Sequence, residues 1–119
     1  MEPVRTFRDL VVWQKAHCFV LDVYKVSQSF PPEECYGITG QLRRACVSVP
    51  TNIVEGQAKN TTKDFVRYLY IARGSLSECE YLLRLSLDLG YLPQTVYQSV
   101  ESNRQEVAFL LSGLIRSLK

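Results

Sequence analysis

Asn52, Glu55 and Glu78 are the acids and amides of this chain best suited to face inward or into a cleft. Two carboxylates, Glu55 and Glu78, would do general acid and base work if one of them had a raised pKa. The same groups also suit a hydrogen-bonded network of Asn52, Glu55, Ser75 and Glu78, joined by Ser48 and Thr51, that satisfies backbone groups freed by Pro50. Buried polar groups must be paired whatever else they do. The structural network is therefore the preferred reading, and no catalytic residue is assigned.

Other chemistries lack the residues they need. A di-iron centre in a helical bundle requires paired Glu-x-x-His motifs, whereas the only histidine is His17 and Gln14 stands three residues before it. His17 reads as a packed or rim histidine. Cys18, Cys35, Cys46 and Cys79 form no C-x-x-C pair, so neither a zinc knuckle nor a redox pair is signalled. No Walker loop, G-x-G-x-x-G or G-x-S-x-G motif occurs. Covalent and phosphoryl-transfer catalysis therefore have no support, a metal lacks ligands, and an enzyme using Glu55 and Glu78 ranks last among the readings.

Charge points elsewhere. Arg43, Arg44, Lys59, Lys63, Arg67 and Arg73 make the middle of the chain its most basic part. Phosphate contacts from such groups give sequence-tolerant, salt-sensitive binding of nucleic acid. The competing reading is a solvated face with local ion pairs, such as Arg44 with Glu55 or Asp64 with its basic neighbours. A net charge of +2 permits nucleic-acid binding without demanding it.

Helices must position these groups. Asp9 suits an N-cap or first-turn acid for a helix over about 10–28. Leu10, Trp13, His17, Val20 and Tyr24 follow helical spacing there, and Val12, Ala16, Phe19, Val23 and Val26 widen that face. Pro31-Pro32 breaks the chain before a second helix over about 36–58, with Pro50 in its interior. Ile38, Leu42, Cys46, Val49 and Ile53 form one apolar line on it, and Val47, Pro50 and Val54 form a second. Thr61 or Thr62 caps a third helix over about 63–89, closed by Gly90. A fourth runs from Pro93 or Gln94 to the C-terminus, with Val96, Val100, Val107, Leu110, Leu111, Leu114 and Leu118 as its stripe and Glu101 among its wet residues. The expected fold is all-α: a single domain over 1–119, an antiparallel up-down-up-down four-helix bundle with helix two kinked at Pro50. The second helix carries two apolar lines, and the third adds Tyr70, Ile71, Gly74, Tyr81, Leu82, Leu85 and Leu89 behind its core line. That surplus predicts a homo-oligomer.

At 119 residues the chain can bury a core without disulfides or metal, and 46% hydrophobic with 22% charged residues is a globular composition. No apolar run approaches the roughly 20 residues needed to span a bilayer, and Met1–Arg5 lacks the apolar segment of a signal peptide. A cytoplasmic location is expected, with no membrane and no small-molecule substrate.

Four motifs, Phe7-Arg8-Asp9-Leu10-x-Val12-Trp13-Gln14-Lys15-Ala16, Gln41-Leu42-Arg43-Arg44-Ala45, Val49-Pro50-x-Asn52-Ile53-x-Glu55-Gly56 and Ala72-Arg73-Gly74-Ser75-Leu76-Ser77-Glu78, occur in this order. Their set resembles the four-helix-bundle proteins encoded in intervening sequences of bacterial 23S ribosomal RNA genes. The likeness runs from Phe7 to about Leu92, with Cys46 and Cys79 standing where alanine and leucine are expected. The resemblance implies a homopentamer, no enzyme activity and no cofactor. It also implies kinship with the accessory protein of diversity-generating retroelements, which binds nucleic acid beside a reverse transcriptase. The motif covers Arg43, Arg44, Asn52, Glu55, Gly56, Gly74, Ser75 and Glu78 without saying which of them touch a ligand. The expected function is a non-enzymatic oligomeric bundle that binds RNA or another nucleic acid through its basic surface. A protein–protein scaffold is the alternative.

Overall fold

A computed structural model describes residues 6–119. The reading of Met1–Arg5 lies outside the described residues. Four helices, α1 (Val11–Ser27), α2 (Ile38–Gln57), α3 (Thr62–Asp88) and α4 (Gln94–Leu118), make an all-α bundle of 44 × 25 × 20 Å. Each helix packs on the next and α4 closes on α1, with the α2–α3 contact the most extensive. Among the described residues the diagonal pairs make no backbone approach, as in a square up-down-up-down arrangement.

Local chemistry explains where the helices start and stop. Thr6 and Asp9 form a reciprocal capping box around a short 3-10 turn, Phe7–Asp9. Asp9 therefore serves the turn before α1 rather than α1 itself, whose N-cap Leu10 offers no side-chain bond. Phe7 folds back edge-on against Trp13, with ring centroids 4.9 Å apart. Pro31 and Pro32 bend the chain through a second 3-10 turn, Pro32–Glu34, into α2. Inside α2, Pro50 lacks an N–H and leaves the Cys46 carbonyl without its usual donor. Thr61 Oγ1 accepts the Asp64 N–H at 3.1 Å and starts α3. Gly90, with φ of 80°, ends it.

The core is filled by Phe19 and Val23 of α1, Leu42, Val49 and Ile53 of α2, Leu69, Leu76 and Leu83 of α3, and Val107 and Leu111 of α4. Two expectations need correction. On α1 the line Val12, Ala16, Phe19 and Val23 is buried, whereas Trp13 and Val20 are half-buried and His17 and Tyr24 are exposed. Both lines obey helical spacing, so periodicity cannot choose between them; only contact with α2 and α4 fixes the rotation. On α4, Glu101 is not on a wet face, because Arg104 beside it is drawn into the core stripe between Val100 and Val107.

Arg104 is 6% exposed. Its Nε and Nη2 donate to the Glu101 carboxylate at 2.6 and 2.7 Å, and Nη2 lies 3.2 Å from Glu80 Oε2 on α3. A bidentate carboxylate is the partner that lets a guanidinium be buried. The pair lies within α4, and only the exposed Glu80 ties it to α3.

Candidate nucleic-acid interface

The α2–α3 contact holds the polar residues of the central motifs. Ser48 and Ser75 share a 2.8 Å hydrogen bond between their hydroxyls. Asn52 Nδ2 donates to the Ser48 carbonyl at 2.8 Å and to Ser48 Oγ at 3.0 Å. Thr51 Oγ1 donates to the Val47 carbonyl at 2.7 Å. Side chains on the turn after Pro50 thus bond the two carbonyls that follow Cys46. An open cleft of about 450 Å³ lies beside the serine pair, lined by Gln41, Arg44, Ala45, Ser48, Ser75 and Glu78.

Glu55 and Glu78 are both exposed, and they are not brought together. From the level of the serine pair, Glu55 lies seven residues up α2 and Glu78 three residues along the antiparallel α3. At 1.5 Å per residue the two stand about 15 Å apart along the bundle. Arg44 and Glu55, eleven residues apart on one helix, are separated by about 16 Å and form no ion pair. Asp64 does meet a basic neighbour, Arg67, at 3.9 Å with both side chains exposed.

The six basic residues fall into two groups. Arg43 faces α1: its Nε donates to Ser27 Oγ at 2.9 Å, its Nη2 to the Tyr24 carbonyl at 3.3 Å, and its guanidinium lies over the Tyr24 ring. Arg44 is exposed at the polar cleft. Lys59 lies fifteen residues beyond Arg44, past the C-terminal end of α2 and about 20 Å away along the bundle.

Lys59, Lys63 and Arg67 lie at the α2–α3 connection and in the first two turns of α3, and Arg73 stands nearly two turns further on, close to the level of the serine pair. Two tyrosines organise three of them. Lys59 Nζ and Arg67 Cζ lie 5.2 and 5.0 Å from the Tyr68 ring centroid. Arg73 Cζ lies 4.6 Å from the Tyr70 centroid, and Lys119 Nζ donates to the Tyr70 hydroxyl at 2.8 Å. The Lys119 hydrogen bond, and then the charges of Lys119 and Arg73, hold the Tyr70 phenol below its ordinary pKa. Cations over ring faces keep their charge at the surface while their stems are held in place.

Tyr68, Tyr70 and Lys119 are absent from the set that the sequence singles out. The Tyr70–Arg73 spacing of three is a legible signal for a pair on one helix face. Lys119 carries no such signal, because only the fold brings the end of α4 beside the start of α3.

Among the described residues no group of three or more His, Cys, Asp and Glu could hold a metal ion, and no helix is long and apolar enough to cross a membrane. A crystal structure from Bacteroides thetaiotaomicron, of a protein of unknown function from the S23 ribosomal protein family, superposes with a TM-score of 0.83. It is 26% identical over 89% of this chain and 96% of that one. No curated protein matches the chain. Residues 8–113 match the description of the 23S rRNA-intervening sequence protein family. With that match over most of its length and this bundle architecture, the chain belongs to the 23S rRNA-intervening sequence protein family.

Proposed function

We propose that the protein is a non-enzymatic, cytoplasmic homo-oligomer, pentameric by the family resemblance, that binds RNA or another nucleic acid through a basic surface at one end of the bundle. Lys59, Lys63, Arg67 and Arg73 supply that surface with Lys119, and Arg43 and Arg44 extend it along α2. The observation that carries the reading is that two tyrosines of α3 each hold a pair of cations, Tyr68 with Lys59 and Arg67 on the α2 side and Tyr70 with Arg73 and Lys119 on the side of the C-terminal end of α4. Basic groups interleaved with aromatic rings offer both phosphate contacts and platforms for bases. Five copies would carry 5 × (+2) = +10 formal charges, adding to one anion-attracting field. Kinship with the retroelement accessory protein belongs to the same reading.

The test is retention of a structured RNA by the wild-type protein and by a Lys59→Glu, Arg67→Glu, Arg73→Glu variant at low and moderate salt. Loss of retention in the variant, with wild-type affinity falling steeply as salt rises, is expected. Equal retention by both would overturn the assigned surface, and retention by neither would sink the nucleic-acid reading. The exposed apolar side chains Ile71, Tyr81 and Leu89 favour the second reading, an assembly scaffold for proteins alone. Under it neither protein would retain RNA.

A further inference from the structure

Gly74 is exposed in the interior of α3, and a Cβ built on it would meet nothing within 4 Å. Glycine in a helix interior is less stable than alanine by about 1 kcal/mol, and among the described residues no close approach offsets that cost. The surrounding face exposes apolar groups, Ile71 at 46% one turn before and Tyr81 at 64% two turns after, beside the charged Arg67 and Glu78. A second unpartnered face lies on the α1–α2 side. There Tyr24 of α1 and Gly40, Arg43, Arg44, Val47 and Thr51 of α2 line an open groove of about 500 Å³.

We propose that the α3 face around Gly74 docks on the α1–α2 face of a second copy of this chain, with Glu78 opposite Arg44 of the partner subunit. This rests on the homo-oligomer reading and names the surfaces that build it; in the assembled form it takes Arg43 and Arg44 out of the nucleic-acid surface, which then consists of Lys59, Lys63, Arg67, Arg73 and Lys119. The two faces are different, so the contact is head-to-tail and generates a closed ring when the rotation closes. Charge selects the occupant. The α1–α2 groove carries Arg43 and Arg44 and no carboxylate, whereas the α3 face carries Glu78 beside Gly74 and Tyr81.

Height along the bundle agrees. The Ser48–Ser75 hydrogen bond sets the level of α2 against α3. Arg44 lies one turn before Ser48 and Glu78 three residues after Ser75 on the antiparallel helix, so the two stand at about the same level. Both line one cleft without coming within ion-pair distance in their own chain. A rotation about an axis parallel to the bundle preserves height, and therefore presents Glu78 of each copy to Arg44 of the next. The missing Gly74 side chain lets the neighbouring helices approach closely there.

The test is native mass measurement of the full chain, of Glu78→Arg, of Arg44→Glu, and of the two variants mixed. Each variant alone places like charges at every contact, and assembly at least about tenfold weaker than wild type is expected. Mixing sets the carboxylate introduced by Arg44→Glu against the guanidinium introduced by Glu78→Arg on a different chain, and should recover assembled species, although a ring of five keeps one like-charge contact and stays below wild-type stability; a pair formed within one chain would not respond to mixing. Tyr81→Arg, which leaves both charges in place, should also favour the monomer. A wild-type oligomer unaffected by these variants, or variants not rescued by mixing, would overturn the assignment of the faces and leave the oligomer standing. A wild-type monomer would overturn both.

Discussion

The position of a Cβ on Gly56 lies 2.8 Å from the Cβ of Tyr68 and 2.9 Å from Phe65 Cδ1. At Gly56 α2 lies close against α3, and the hydrogen of glycine is what the approach allows. The Phe65 ring can yield, but Tyr68 Cβ is fixed to the backbone of α3. Gly56→Ala is therefore expected to lower stability: overpacking costs about 1–3 kcal/mol, offset by about 1 kcal/mol of helix propensity. Urea unfolding of the variant checks this, and a midpoint at or above wild type would show that the helices separate freely.

Arg104 and Glu101 give a second case. The side chains are 8% and 12% exposed, so removing the guanidinium leaves a carboxylate with little water to replace it. Arg104→Met should cost about 3 kcal/mol, and adding Glu101→Leu should recover most of the loss. Glu80, whose side chain is 56% exposed, should matter by less than about 1 kcal/mol. The double variant remaining as unstable as Arg104→Met would show that stem packing, and not charge pairing, holds the residue.

These two sites mark how far the sequence can be read. The helices and their order follow from apolar spacing, from Pro31-Pro32 and from Gly90, because each of those signals acts within a few residues. The rotation of α1 does not, since Trp13-His17-Val20 and Ala16-Phe19-Val23 fit one helical period equally well. Arg104 escapes a sequence reading because a charged residue in an apolar stripe looks like an interruption until its carboxylate partners are seen on α3 and α4. The basic cluster is legible as composition, but its division into an Arg43–Arg44 part and a Lys59–Arg73 part needs axial distances. The attachment of Lys119 to Tyr70 needs the fold.

Thr39 provides a prediction in the stabilising direction. Its Oγ1 is buried and, among the described residues, has no hydrogen-bond partner. An unsatisfied hydroxyl costs roughly 1–3 kcal/mol of desolvation, while valine has nearly the same shape. Thr39→Val should raise the thermal midpoint by several degrees, as about 1 kcal/mol does in a domain of this size. A fall would mean that the hydroxyl is satisfied in solution.

Cys46 and Cys79 are fully buried between α2 and α3, whereas Cys18 and Cys35 are exposed. Burial pushes the Cys46 thiol up from 9.0 to about 12, and it raises Cys79 as well. The thiolate is the reactive form, so brief alkylation of the folded protein at pH 8 should label Cys18 and Cys35 alone, with all four labelled in denaturant. The same shift sets a pH dependence. Below pH 9 the thiol is neutral in both folded and unfolded chains, and the fold keeps its full stability. Between about 9 and 12 only the unfolded chain ionises at Cys46, so stability falls as pH rises through that window. Cys46→Ala should flatten that alkaline decline while lowering stability at neutral pH through the cavity it leaves. Urea midpoints measured from pH 7 to 10.5 separate the two effects, and an alkaline slope unchanged in the variant would assign the decline to other groups.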